Sequence, residues 1–181
     1  MVCRQELLRL MLTEAKFMAE FIGDPAAIQL RRVHVPDACV KNEHINLRKA
    51  QITTELGTPL HLKEILAIDW QKRLDLAIQA ARFVDKHKEL LFNDLRRQQY
   101  VIVGSLLKFV DFTDVDAIGK EDPTEVSIRH ARRIYDDFVR DFLRPDTPPG
   151  TSAALENLNK RRLQGTLTVR ELVKELEKIQ K

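Results

Sequence analysis

The stretch that decides the predicted fold runs from Pro59 to Phe112 and reads PLHLKEILAIDWQKRLDLAIQAARFVDKHKELLFNDLRRQQYVIVGSLLKFVDF. After Pro59 it has no proline, and its single glycine is Gly104, although it covers more than fifty residues. One helix of that length is unusual in a globular domain, and Asn93-Asp94 is the best place for an interruption. The stretch therefore predicts two long helices that pack against each other.

Apolar residues recur at helical spacing in both halves of this stretch. The first half carries a stripe made of Trp70, Leu74, Ala77, Ala81 and Val84. The second half carries Leu95, Ile102, Leu106 and Val110. The β-branched run Tyr100–Val103 could argue for a strand, but the leucines that follow it fit a helix, so a buried helix is favoured.

Further helices are predicted on both sides of this stretch. Before it, they cover about Cys3 to Ile22, Pro25 to about Arg32 and about Glu43 to Leu56, and residues 33–42 are left irregular. After it, the best apolar stripe of the chain begins at Asp122-Pro123, a typical helix start, and includes Phe138. The predicted fold is therefore all-α, a multi-helix globular bundle.

The proline-rich run from Arg144 to Gly150 divides the chain, because its prolines cannot continue a helix. We predict a helical main domain at 1–143, a linker at 144–150 and a C-terminal helical hairpin at 151–181. The last helix begins at a capping box made by Thr168 and Glu171. Its apolar stripe consists of Leu172, Val173, Leu176 and Ile179.

Composition places the chain among folded proteins of a reducing compartment. Apolar residues make up 44% and charged residues 31%, and the formal charge is only +3, which does not by itself imply a nucleic-acid partner. No apolar stretch is long enough to span a membrane, and Arg4, Glu6 and Arg9 interrupt any signal-peptide core. Two cysteines make no disulfide framework. We predict a cytoplasmic protein without a membrane partner.

The common phosphate and nucleophile motifs are absent from the sequence. A glycine-rich phosphate loop needs several neighbouring glycines, and the closest glycines here are fifteen positions apart, as in Gly104 and Gly119. Ser105 follows a glycine but lacks the second glycine of a nucleophile elbow. We predict no cofactor and no catalytic residue from these motifs.

Four potential zinc ligands lie within eleven residues of the irregular segment: His34, Asp37, Cys39 and His44. Their side chains suit zinc, but their spacing matches no familiar finger pattern, so an ordinary surface loop is favoured. We predict that the protein holds no stoichiometric metal.

Two basic groups are candidates for contacts with nucleic acid. One consists of Arg129, Arg132 and Arg133, and the other of Lys160, Arg161 and Arg162. The first group is offset by Asp136 and Asp137 on the same predicted helix. Binding through these groups should be weak and sensitive to salt.

Well-developed apolar stripes and poor active-site signals favour a protein-protein interaction or regulatory module without catalytic activity. The stripe from Leu172 to Ile179 is its predicted contact, either with a partner protein or in self-association into an oligomer. The alternative is a nucleic-acid-associated protein that uses the surface basic pairs. A third reading is an enzyme whose site assembles from distant residues.

Overall fold

The computed structural model describes residues 2–34, 51–112 and 114–181. About 54% of it is helical and 15% lies in strands, so the chain has a mixed α and β architecture. The prediction of an all-α helical bundle is therefore wrong.

Helices and strands alternate along the first two thirds of the described chain. Its helices are α1 (Val2–Glu20), α2 (Leu62–Ala67), α3 (Trp70–Lys86), α4 (Pro123–Ile134), α5 (Asp141–Leu143), α6 (Ser152–Leu163) and α7 (Val169–Gln180). Its strands are β1 (Leu30–His34), β2 (Gln51–Thr54), β3 (Thr58–Pro59), β4 (Leu90–Phe92), β5 (Tyr100–Val103), β6 (Leu106–Phe109) and β7 (Val115–Ala117). A π-helical segment, Tyr135–Arg140, joins α4 to α5. None of the described helices is long and apolar enough to cross a membrane.

The strands form three small antiparallel sheets. β1 pairs with β2, β3 pairs with β5, which also pairs with β6, and β4 pairs with β7. The β4–β7 pair aligns Phe92 with Val115. This pairing brings the chain after β4 next to the chain before β7, which is where the candidate site lies.

The second half of the stretch from 59 to 112 is a β-hairpin and not the predicted helix. Val103 pairs with Leu106, so the loop is the dipeptide Gly104-Ser105. Gly104 has a φ of 64°, which only glycine adopts readily at the first position of such a two-residue turn. The β-branched run 101–103 therefore extends as a strand, and Leu106, predicted to be buried, is 40% exposed.

Two other segments predicted to be helices contain turns and strands instead. The stretch after Pro25 forms turns and then β1, because the Asp24 carboxylate accepts a hydrogen bond from the Ala26 amide (2.9 Å) and closes a turn. Within the predicted helix at 43–56, the described part contains β2, whose residues include Ile52 and two threonines.

An aromatic cluster fills the centre of the molecule. Phe109 of β6 is 1% exposed, and its ring lies 5.1 to 5.5 Å from four others, those of Phe83, Phe92, Tyr100 and Phe112. Such offset and edge-on pairs stabilise a core beyond the burial of area. The cluster fixes the end of β6 against α3 and β4.

Replacing Phe138 with Ala is expected to lower the free energy of unfolding by about 3 to 5 kcal/mol, since a fully buried ring would leave a cavity. Phe138 is 0% exposed and packs edge-on against Tyr100 and Phe142. Urea denaturation would measure the change. Arg132→Ala, at an exposed position of α4, is the control and should change stability by less than about 0.5 kcal/mol.

The C-terminal residues pack on the rest of the chain. α7 lies along α3 and also contacts α4, and the Thr168–Glu171 capping box is present. The Val169 amide donates to Ser127 Oγ (3.1 Å), and Arg82 pairs with Glu177 (2.7 Å). Buried residues of α6 and α7 belong to the same apolar cluster as those of α3.

Candidate functional site

A polar loop follows β4 and is organised by Asp94. The Asp94 carboxylate accepts hydrogen bonds from Arg96 Nε (2.9 and 3.0 Å) and from Gln99 Nε2 (2.8 Å). It also pairs with Arg96 Nη2 at 2.5 Å. These bonds, those from Arg96 first, lower the pKa of Asp94 to about 2, so the carboxylate is ionised at neutral pH.

Gln99 connects this loop to the end of the β5–β6 hairpin. Its side chain donates to Asp94, and its backbone carbonyl accepts from the Val110 amide at 2.9 Å. Val110 directly precedes Asp111 and Phe112, and Phe112 is fully buried against Phe109. Gln99 thus holds the Asp94 loop beside the segment that begins at Asp111.

Asp111 acts electrostatically on groups from distant parts of the chain. Burial raises the pKa of Glu14 on α1, and the negative charge of Asp111 raises it further. The pKa of Arg96 is raised first by Asp94, with smaller contributions from Asp137 and Asp111. Asp111 therefore lies within electrostatic range of both Glu14 and Arg96.

The Asp94 loop borders an open cleft of about 480 Å³. The residues lining it are Asn93, Asp94, Arg96, Asp114, Arg133, Asp136 and Asp137. Arg96 is 69% exposed although it pairs with Asp94, so one edge of its guanidinium remains accessible to a bound anion. A guanidinium in such a position suits phosphate oxygens.

Helix α4 and the π-helical segment form the wall behind the loop. Arg133 Nη1 donates to the Asn93 carbonyl, and Asp137 Oδ2 accepts from the Arg97 amide at 2.8 Å. Burial raises the pKa of Asp137. The Arg97 side chain pairs with Asp141 at 2.7 Å. These contacts fix the backbone of the loop on both sides of Asp94.

The side-chain oxygen atoms of the loop and of the segment at Asp111 are of the kind that binds a hard cation such as magnesium when phosphate supplies further ligands. Within the described residues, no group of three or more His, Cys, Asp or Glu side chains could hold a metal ion, so a cage made of protein alone is not formed there. Magnesium usually takes one or two protein ligands and fills the remaining positions with water and phosphate. The Asp111 carboxylate and the Gln99 side-chain oxygen, on the two segments that Gln99 connects, are the groups that could hold such a cation.

We did not predict this site from the sequence, although a partial signal for it is present. Residues 92–99 read FNDLRRQQ and residues 111–113 read DFT. They share the Asp-Leu of the pattern H-R-D-L-x-x-x-N and, further along, the Asp-Phe of D-F-G, and differ from these patterns at the other specified positions. Asp94 matches the first aspartate, Gln99 stands at the position of the asparagine, and Asp111 matches the second aspartate. From the sequence, Asn93-Asp94 was interpreted as a helix break instead.

The predicted interaction stripe is covered by the same chain. Leu172 and Leu176 are fully buried, Val173 is 8% exposed and Ile179 packs partly buried against the core. These side chains are buried where α7 packs against α3 in the same chain. Self-association through this stripe stays a prediction.

Most of the predicted nucleic-acid contacts are paired with acceptors on the protein. Arg129 pairs with Glu121 (2.6 Å), and Arg133 donates to the Asn93 carbonyl. Arg161 pairs with Glu171 at 2.6 Å, and Arg162 with Asp136 at 3.2 Å. Arg132 and Lys160 are exposed. Nucleic-acid binding also stays a prediction.

The predicted zinc ligands fall at the edge of the described residues. His34 ends β1, whereas Asp37, Cys39 and His44 lie outside the residues that the structure describes. The expectation that the protein holds no stoichiometric zinc remains a prediction for elemental analysis.

Comparison with known proteins gives no further guide. No family profile matches the chain, and no curated protein is significantly similar to it.

Proposed function

We propose that this chain carries the catalytic loop of a phosphotransferase that moves the terminal phosphoryl group of a nucleoside triphosphate to a hydroxyl group. The observation that supports this most directly is the double contact of Gln99, which joins the Asp94 loop to the segment of Asp111. A catalytic aspartate and a magnesium-binding aspartate on two such neighbouring segments are the core of the protein-kinase arrangement.

Each residue of the site has a role in this reaction. The ionised Asp94 carboxylate orients the acceptor hydroxyl and takes its proton as the oxygen bonds to the terminal phosphorus. The bond between that phosphorus and the bridging oxygen breaks, and the nucleoside diphosphate leaves. Arg96, beside Asp94, binds oxygens of the transferred group and offsets their charge. Asp111 and Gln99 would hold magnesium, which neutralises negative charge on the phosphates when it is bound.

The sequence departs from the kinase pattern at defined positions. Phe92 and Asn93 replace the histidine and arginine before the catalytic aspartate, Gln99 replaces the asparagine, and Thr113 replaces the glycine after Asp111-Phe112. Gln99 keeps the carboxamide, so its oxygen can still serve as a ligand. The glycine-rich loop and the V-A-I-K lysine that contact phosphates in protein kinases have no counterpart in the 181 residues. The proposal therefore concerns the catalytic-loop side of the site.

This proposal is the third reading of the sequence, an enzyme assembled from distant residues, and it replaces the interaction module as the leading one. Asp94 and Asp111 come from separate segments, and Glu14 from a third, far away in sequence. The cytoplasmic location remains a separate proposal that the site does not address.

Magnesium-dependent binding of nucleotide tests the proposal. Calorimetric titration of the full chain with ATP is expected to show binding in the presence of magnesium chloride and much weaker binding in EDTA. Asp111→Asn should remove the magnesium dependence, because a neutral amide is a poor ligand for a hard cation. Asp75→Asn on α3 makes the same chemical change away from the cleft and should bind as the unchanged protein does.

Two results of this titration would contradict the proposal. If none of the four common nucleoside triphosphates binds at millimolar concentration with magnesium, the site is not a nucleotide site. Binding that is equal in magnesium and EDTA would instead exclude the role given to Asp111.

A further inference from the structure

His130 is a buried polar side chain that the proposed reaction does not use. It lies in α4 and is 2% exposed. Its Nε2 is 3.2 Å from the backbone nitrogen of Phe92, and its ring stands edge-on to the Phe92 ring at 5.8 Å. Phe92 ends β4, two residues before Asp94. A histidine in this position has a specific partner at the start of the catalytic loop.

The hydrogen bond defines the state of the imidazole. A backbone amide can only donate, so Nε2 must be the acceptor and Nδ1 must carry the proton of the neutral ring. Burial lowers the pKa of His130 to about 4, and the positive charges of Arg129 and Arg133 act in the same direction. The ring is therefore neutral at pH 7, which is the form that the Phe92 amide requires.

His130 belongs to a set of three side chains that contact the loop backbone from one side. His130 accepts from the Phe92 amide, Arg133 donates to the Asn93 carbonyl and Asp137 accepts from the Arg97 amide. His130 and Arg133 are three residues apart on α4, the spacing that places side chains on one helix face, and Asp137 follows in the π-helical segment. The backbone groups they bind lie on both sides of Asp94.

We infer that His130 is a positioning residue for the catalytic loop, acting through the Phe92 amide to set where Asp94 lies. This inference rests on the proposed function only where it predicts a change in the rate of phosphoryl transfer. The hydrogen bond itself fixes the strand end from which the loop departs. A small displacement of a catalytic group lowers the reaction rate by a large factor. Loss of the hydrogen bond from the Phe92 amide to His130 is therefore expected to lower kcat more than it changes the KM for nucleotide.

Several charged groups surround the ring and bear on its protonation. Arg129 and Arg133 flank it on α4, and Glu121 precedes that helix. Asp85 of α3 and Lys88, just after that helix, line the same small hollow, about 20 Å³ in volume, together with Val169 of α7. Protonation of His130 at low pH would place two N–H groups against each other and break the bond to Phe92.

Two variants separate the hydrogen bond from the packing of the ring. His130→Gln offers a carbonyl oxygen that can accept from the Phe92 amide, whereas His130→Phe keeps a flat ring and removes the acceptor. Hydrogen exchange followed by NMR is expected to show the Phe92 amide exchanging about tenfold faster in His130→Phe than in the unchanged protein, with His130→Gln within about threefold. Amides in the middle of α7 serve as the internal control for global unfolding.

Kinetics provide the second measurement. In His130→Phe, kcat for transfer to Ser, Thr and Tyr peptides should fall by about tenfold or more while the KM for ATP changes by less than about threefold, and His130→Gln should restore most of the rate. The acid limb of the pH–rate profile should move to lower pH in His130→Gln, because an amide does not titrate.

The outcomes that would overturn the inference are distinct from those that would overturn the proposed function. An unchanged exchange rate of the Phe92 amide in His130→Phe, or a His130→Gln variant as impaired as His130→Phe, would exclude the positioning role. If His130→Phe does not fold, ¹⁵N shifts of the ring in the unchanged protein decide, since a protonated Nε2 at pH 7 contradicts the assigned bond. Absence of any phosphoryl transfer would overturn the proposed function. The hydrogen-exchange rate of the Phe92 amide would still decide whether His130 holds the start of the loop.

Discussion

Asp94→Asn is expected to lower kcat for phosphoryl transfer by about 100- to 10,000-fold, the range that loss of a general base usually produces. The Asn side chain has nearly the same shape and can still accept a bond from Arg96, but it cannot take the proton of the acceptor hydroxyl. The measurement is a steady-state assay with magnesium, ATP and a mixture of Ser, Thr and Tyr peptides. Affinity for nucleotide should stay within about threefold, because Asp94 is assigned no ligand role.

A matched control uses another carboxylate that is held by a neighbouring carboxamide. Asp75 of α3 accepts from Gln79 Nε2 at 2.6 Å, as Asp94 accepts from Gln99, but it lies outside the cleft. Asp75→Asn should retain full activity. If Asp94→Asn kept more than about half of the rate, Asp94 would not be the base, even if magnesium-dependent nucleotide binding had been established.

Removal of residues 150–181 is expected to abolish cooperative folding of the remaining chain. Seven apolar side chains of this region are buried: Leu155, Leu158, Leu167, Val169, Leu172, Val173 and Leu176. Each large apolar side chain contributes roughly 1.5 to 3 kcal/mol on burial, so their sum is comparable to the whole free energy of unfolding of a typical domain, about 5 to 15 kcal/mol. Circular dichroism during heating would show the loss of a sharp transition.

A single substitution gives a graded form of the same test. Leu172→Ala should lower the free energy of unfolding by about 2 to 5 kcal/mol, and Lys174→Ala, exposed on the same helix, should change it little. Light scattering on the full chain shows in parallel whether it self-associates. A shortened protein that melts as the full chain does would contradict the packing of α7 on α3.

The helices α3, α4 and α7 could be predicted from the sequence because they present apolar stripes and recognisable starts. Asp69 caps α3, its side chain accepting from the Lys72 amide, and α7 begins at a capping box. The strands are only two to five residues long, so their alternation has little room to appear. In the β5–β6 hairpin, the neighbouring Leu106 and Leu107 of β6 extended an apparent helical pattern that the Gly104-Ser105 turn interrupts.

The site was harder to predict because its residues come from separate segments that only tertiary contacts bring together. Asp94 and Asp111 have no local feature that separates them from solvated acids, and only the paired motif around them does. His130 lies in a run of arginines that indicated a nucleic-acid contact, yet its side chain points into the core. Burial of a polar residue on a mostly polar helix face follows from tertiary packing, which periodicity does not report.

The π-helical segment Tyr135–Arg140 changes the phase of the helix that supports the loop. Relative to regular α-helical winding, each extra residue in a turn rotates everything after it by about 100°. In an unbroken α-helix, residues four apart share a face, so Asp136 would lie beside Arg132 and Asp137 beside Arg133. In the structure Arg133 and Asp137 both contact the loop, whereas Asp136 pairs with Arg162 of α6. This segment therefore sets the angle between the helix face that contacts the Asp94 loop and Asp136, which pairs with α6, and deleting one residue within it would turn the two out of register.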